Sequence, residues 1–220
     1  MISTSEVIDS LVADAKPVRR LRPPALRALC WLMLAALTLA LVGVGHGVRP
    51  DLMLKLRQPV FAASLIAALM TGVLAAMASF MASVPGLSRR WLLLPAPALA
   101  VWISTIGYGC LTDWVGMGPE GMSLGETARC FATLALTGIP LSLALLFMLR
   151  YMARLSPGPV AMMGSLAVAA ITAVALSLFH PLDATVMILF WNFGVATLFL
   201  AFSGLYGKRL LKWLAGYGSR

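Results

Sequence analysis

Apolar residues in this chain gather into six long stretches separated by short polar segments. They cover residues 28–46 (ALCWLMLAALTLALVGVGH), 60–84, 91–111, 128–150, 160–179 and 184–206. Each is about twenty residues long and nearly free of charge, the length a helix needs to cross a bilayer core about 30 Å thick. The pattern predicts an all-α polytopic membrane protein with six transmembrane helices. Pro95 and Pro97 fall near the start of the third stretch and Pro140 inside the fourth. Proline is tolerated in membrane helices when neighbouring groups satisfy the carbonyls it frees. The first stretch is too long for a signal-peptide core and no small-residue cleavage site follows it, so it reads as an uncleaved anchor.

The placement of basic residues orients this array. With six spans, 13 of the 17 Lys and Arg residues fall on one side. They are Lys16, Arg19, Arg20, Arg22 and Arg27 before the first span, Arg89 and Arg90 after the second, Arg150 and Arg154 after the fourth, and Lys208, Arg209, Lys212 and Arg220 in the tail. The other side holds Arg49, Lys55, Arg57 and Arg129 together with Asp51, Asp113, Glu120, Glu126 and Asp183. Cytoplasmic loops carry the excess of Lys and Arg, so both termini are expected in the cytoplasm. The organisation is then a cytoplasmic arm with a short amphipathic helix (1–27), a six-helix membrane domain (28–206) and a basic cytoplasmic tail (207–220). Whole-chain composition agrees: 60% hydrophobic, 11% charged, mean hydropathy +0.92. The net charge of +9 is accounted for by topology and by attraction to anionic head groups, without a nucleic-acid partner.

Two spans carry small residues at every fourth position: Ser64, Ala68, Gly72 and Ala76, and Ser165, Ala169, Ala173 and Ser177. Such rows let helix backbones approach closely. Ionisable groups are missing from the span centres, where Asn192 is joined only by Ser and Thr. Ion and proton transporters place charges there, so a small transporter or channel is the weaker alternative. If one exists, a site built from broken helices would lie near Pro95, Pro97 and Pro140. No H-E-x-x-H, G-x-S-x-G or P-loop is present, and no cofactor or enzymatic activity is implied. His180 and Asp183 share a short outer turn. Asp183 is best read as the N-cap of the sixth span, with a metal-binding or proton-sharing pair as the alternative.

The arm has its own pattern. Ser3-Thr4-Ser5-Glu6 forms a capping box flanked by a hydrophobic staple of Ile2 and Val7. Val7, Ile8, Leu11 and Val12 then follow at helical spacing on one face, with Glu6, Asp9 and Asp14 off it. The helix is expected to end before Pro17, where a basic strap, Val18-Arg19-Arg20-Leu21-Arg22-Pro23-Pro24, leads to the first span. So short a helix is not stable alone in water and needs a surface to cover its apolar face. Its acidic flank favours a protein groove over an anionic membrane.

Three cysteines remain. Cys30 opens the first span and reads most simply as packing. Cys110 and Cys130 stand at the outer ends of the third and fourth spans, with nineteen residues between them. They either face an oxidising compartment within disulfide reach or sit as two separate thiols at helix ends. No C-x-x-C is present, which argues against structural zinc.

Several segments in this order resemble the NrsF family of six-span inner-membrane negative regulators of an extracytoplasmic-function sigma factor. They are Pro17-Val18-Arg19-Arg20-Leu21-Arg22-Pro23-Pro24, Arg49-Pro50-Asp51-Leu52, Ser83-Val84-Pro85-Gly86, Gly109-Cys110-Leu111-Thr112-Asp113-Trp114, His180-Pro181-Leu182-Asp183 and Trp191. The resemblance implies a multi-pass anti-sigma factor of the bacterial inner membrane, which holds its sigma factor away from RNA polymerase until a stress arrives. It makes the arm, through Val7, Ile8, Leu11 and Val12, the sigma-binding element. It also implies that outer-side cysteines sense the stress. Cys130 matches one of the family's two; Pro181 occupies the place of the other, so Cys110 would have to substitute.

Overall fold

The computed structural model describes residues 4–13, 22–84, 86–113, 124–149 and 157–179. Among these residues there are seven α-helices and no strand: α1 (Thr4–Ala13), α2 (Pro24–His46), α3 (Leu52–Leu56), α4 (Pro59–Ala82), α5 (Ala96–Asp113), α6 (Leu124–Leu149) and α7 (Pro157–Phe179). A 3-10 turn, Arg89–Leu93, precedes α5. Five helical segments are long and apolar enough to cross a membrane: α2, α4, the 3-10 turn continuing into α5, α6 and α7. They coincide with the first five apolar stretches. The sixth, 184–206, and the His180–Asp183 turn lie outside the described residues.

Helices α2 and α4 start slightly earlier than apolarity alone indicates, and proline is the reason. Pro24 and Pro59 occupy the first turns of α2 and α4, where the missing N–H costs nothing and the fixed φ favours a helix. Pro95 and Pro97 likewise flank the start of α5, with Leu99 N donating to Pro95 O. They begin the helix and do not break it. Pro140 alone stands inside a helix, α6. Gly47 closes α2 at φ 76°, returning its N–H to Gly43 O, a conformation in which a Cβ is strained.

Contacts fix the directions of the five long helices. For α5, the 3-10 turn before it packs on α4, and Ser104, Thr105 and Tyr108 line a groove with Val60 at the start of α4, so α5 runs against α4. Ser79 of α4 donates to Val160 O of α7, while Gly72 lies against Ile171 and Ala167; α4 and α7 are therefore antiparallel. Leu145 of α6 packs on Gly164, and Trp31 of α2 donates to Leu141 O of α6, so α6 runs against both α7 and α2. Gly43 meets Phe179 at the far end, making α2 parallel to α7. The long helices thus alternate in direction along the chain, as successive membrane crossings must.

Helices α4 and α7 form the centre. One apolar cluster joins α2, α4, α6 and α7 through Trp31, Ala35, Ala75, Ala76, Phe80, Leu141, Leu145, Ala167 and Ile171. A second joins α4, α5 and α7 through Ala67, Ala68, Trp102, Ile106, Ala170, Ala173 and Val174. In the first small-residue row, Ala68, Gly72 and Ala76 are buried, as a close-approach face requires. In α7 the expected row is met only in part: Ala173 is buried against α4 and α5, Ser165, Ala169 and Ser177 are only partly buried, and the approach to α4 and α6 runs through Gly164, Ala167 and Ile171.

Candidate functional site

The two faces of the bundle carry different chemistry. The face where α2 begins holds Arg27, Phe80, Met148 and Val160; the face where α2 ends holds His46, Arg49, Phe61 and Leu178. The arm joins the first face. Residues Thr4–Ala13 of the arm are helical as α1; Ser3 of the capping box and Pro17, which were expected to bound the helix, lie outside the described residues. So do the residues of the basic strap before Arg22. Val7 and Val12 are 44% and 68% exposed, and α1 packs extensively on no other described helix. Ile8 and Leu11 lie on the same helix, but their side chains are outside the described residues, so only Val7 and Val12 of the expected docking face are placed.

Where the arm enters the bundle, the arginine counted in the sequence as a topogenic charge has a second role. Arg27 sits one turn into α2 and is largely buried. Its Nη2 donates to Met148 O at the C-terminal end of α6 at 3.3 Å, and its guanidinium lies 5.0 Å from the centre of the Phe80 ring. A cation is favoured at a helix C-terminus and over an aromatic face. One turn further, Trp31 is fully buried and its Nε1 donates to Leu141 O at 3.1 Å. The helix that carries the arm is thus fastened to α6 at two levels. Pro23-Pro24, which starts α2 and places Arg27 inside it, was the available signal for this role.

The opposite face is organised by Arg49, 4% exposed. Its backbone N donates to Leu178 O at the end of α7. Its Nε and Nη2 each reach an Asp51 carboxylate oxygen at 2.7 Å, the bidentate geometry that suits arginine. Phe61 lies 5.8 Å from its guanidinium. The hydrogen bond from Arg49, reinforced by the charges of Arg49 and Lys55 against a smaller opposing desolvation, holds the Asp51 carboxyl below its ordinary pKa. Composition alone marks Arg49 as a loop charge, and nothing in its spacing signals burial.

Cys110 falls in the last turn of α5 and Cys130 in the second turn of α6. The helix directions put both on the Arg49 face. Their side chains are outside the described residues, and α5 and α6 share no extensive contact among the described ones. Cys30 corrects its reading as a packing residue, because it is exposed. The buried stripe of α2 runs through Arg27, Ala28, Trp31, Ala35 and Val42. At about 100° of rotation per residue, Cys30 falls off that stripe. No group of three metal-ligating side chains occurs among the described residues.

Between the faces, the buried hydroxyls are already committed. Thr71, Thr137 and Thr172 donate to carbonyls four residues back in their own helices, Ser83 donates to Phe80 O, and Ser79 bridges to Val160 O. A shallow groove lined by Val60, Ala100, Val101, Ser104, Thr105 and Tyr108 is mostly apolar.

The family model for NrsF, negative regulator of sigma F, matches residues 11–213. The chain belongs to the NrsF family. Comparisons with curated proteins and with solved structures found no match. The match takes in Leu11 and Val12, the basic strap and all the long helices of this NrsF member, with Val7 and Ile8 just before it. A sigma factor is the partner that membership assigns to it.

Proposed function

We propose that this NrsF protein is a membrane-bound anti-sigma factor of the bacterial inner membrane. It sequesters an extracytoplasmic-function sigma factor through its cytoplasmic arm and releases it under stress. The observation that carries the reading is α1. A negative regulator of a sigma factor needs a surface to hold it, and α1 presents exposed apolar side chains with no extensive packing of its own. Val7, Ile8, Leu11 and Val12 form the docking face. The protein acts by binding, not catalysis, and its effect on transcription passes through the sigma factor, with no direct contact to nucleic acid. Burying one such aliphatic side chain contributes roughly 1.5–3 kcal/mol. Leu11→Glu should therefore weaken sigma-factor binding about tenfold or more, whereas Asp14→Asn, off the face, should leave it nearly intact. A two-hybrid or pull-down assay measures both. Normal recruitment by Leu11→Glu would sink the docking-helix reading.

The arm acts on a cytoplasmic partner only if its side of the bundle is cytoplasmic. The alternating directions of α2, α4, α5, α6 and α7, the sixth apolar stretch and the 13-to-4 basic asymmetry support six spans with both termini inside. Reporter fusions test this. Alkaline phosphatase should be inactive at either terminus and active after Arg57, and activity at the carboxyl terminus would overturn the arrangement. On the outer side, Cys110 and Cys130 are the candidate stress-sensing thiols, supported by their placement on the Arg49 face.

A further inference from the structure

Helix α3 has no counterpart in the sequence pattern, and its surface is the reverse of a solvated loop's. Met53 is 78% and Leu54 66% exposed, and Val48 just before the helix is also exposed. The half-buried side, Leu52 and Lys55, turns toward the protein, and α3 packs against α4. A loop helix in water would show the opposite polarity.

The position of α3 explains the inversion. It ends at Leu56, and α4 begins at Pro59. Such a short connection spans at most about 10 Å, so α3 cannot rise far from the membrane-crossing helices. It is also tied down at its base. Leu52 N donates to Arg49 O, Arg49 N donates to Leu178 O of α7, and the Arg49 guanidinium grips Asp51. The apolar surface continues along the chain from exposed Leu41 and Val44 of α2 through Val48 to Met53 and Leu54. Exposed Arg57 closes it, and an arginine there keeps its stem on apolar surface and its head in the polar layer. An apolar face at this depth with a basic end is the composition of an interfacial membrane helix.

We infer that α3 is a monotopic foot, with Met53 and Leu54 inserted at the boundary between lipid head groups and acyl chains and Arg57 directed to lipid phosphate. The Arg49–Asp51 pair holds the foot at that level against the outer ends of α4 and α7. The inference rests on the membrane-spanning reading of α2 and α4, and its test separates the two.

The experiment places an environment-sensitive fluorescent amino acid at position 53 of the full-length protein by codon suppression. A second protein carries it at position 41, on the exposed face of α2. Both are reconstituted in phosphatidylethanolamine–phosphatidylglycerol vesicles, with and without acyl-brominated lipid, and titrated with aqueous iodide. The expected result at position 53 is blue-shifted emission, loss of emission on brominated lipid and little loss on iodide. Quenching by iodide equal to that of the free fluorophore would place α3 in water and overturn the inference. Protection from both quenchers would mean that protein, such as a second copy of the chain, covers the face, and would overturn it too. Loss of brominated-lipid quenching at position 41 as well would overturn the membrane-spanning reading beneath it.

Discussion

The two buried arginines show how much one residue's role depends on its neighbours. Arg27 and Arg49 each lie beside a helix C-terminus and an aromatic ring, on opposite faces of the bundle, and Arg49 also grips the Asp51 carboxylate. An isolated buried charge is costly; carbonyls, a ring and Asp51 offset that cost. Asp51 therefore links stability to pH, and the sign follows from its lowered pKa. A carboxyl held below its unfolded value stabilises the fold above that value, about 3.9. The contribution is lost as pH falls through the lower, folded-state value. The thermal midpoint of the wild type should exceed that of Asp51→Asn at neutral pH, and the gap should narrow below about pH 4. A gap that stays constant down to pH 2 would separate the ion pair from stability. Pro23-Pro24 put Arg27 inside α2, but the positive-inside pattern accounts for an arginine near a span end without asking what it touches, so neither arginine's partners were legible beforehand.

At the level of elements, helix packing here depends on missing side chains. A Cβ on Gly72 would stand 2.9 Å from Ile171 Cδ1, and one on Gly164 would collide with Leu145, whereas Gly107 of α5 meets nothing within 4 Å. Gly72→Val should therefore destabilise the protein by about 1–3 kcal/mol, the usual cost of overpacking, while Gly107→Val should change it far less. Denaturation in detergent micelles compares the two, and equal losses would mean that the α4–α7 seam is not as close as Gly72 indicates. The α4 row was readable from its fourfold spacing of small residues. The α7 row was readable only in part, because an alanine-rich helix offers several such rows and only the partner helices choose among them. The five long helices were legible for the same reason that their packing was not: apolar length reports the bilayer, not the neighbour. Helix α3 was invisible because five residues are too few for a period, and Cys30 was misplaced because its angle depends on which stripe of an all-apolar helix turns inward. Of the candidate docking face, a helix in the arm was legible from the helical spacing of its apolar residues. Its lack of extensive packing became visible only with the bundle present.

For the whole molecule, the question is how an event on one face reaches the other. Helix α6 runs from the turn that carries Cys130 to Met148, which accepts from Arg27 one turn after the arm enters α2. Trp31 adds a second grip at Leu141. In the proposed function, a chemical change at the Cys130 end of α6 would therefore act on a helix fastened to the start of α2, next to the arm. Thiol chemistry requires access for the attacking species; in the proposed topology Cys110 and Cys130 stand toward the outer face, whereas Cys30 belongs to the end of α2 that the arm enters. Cys130→Ser should insert normally and still hold its sigma factor, giving full repression of a sigma-dependent reporter without stress. It should blunt induction by thiol-reactive metals or oxidants. Cys110→Ser should match it only if the two thiols act together. Cys30→Ser should respond as wild type. Measuring repression without stress and induction with it lets the variants separate sensing from sequestration. Full induction in the Cys110→Ser, Cys130→Ser double variant would eliminate thiol sensing while leaving the docking role of α1 standing. Loss of repression without stress in Cys130→Ser would instead show that the thiol supports the fold on which the arm is mounted.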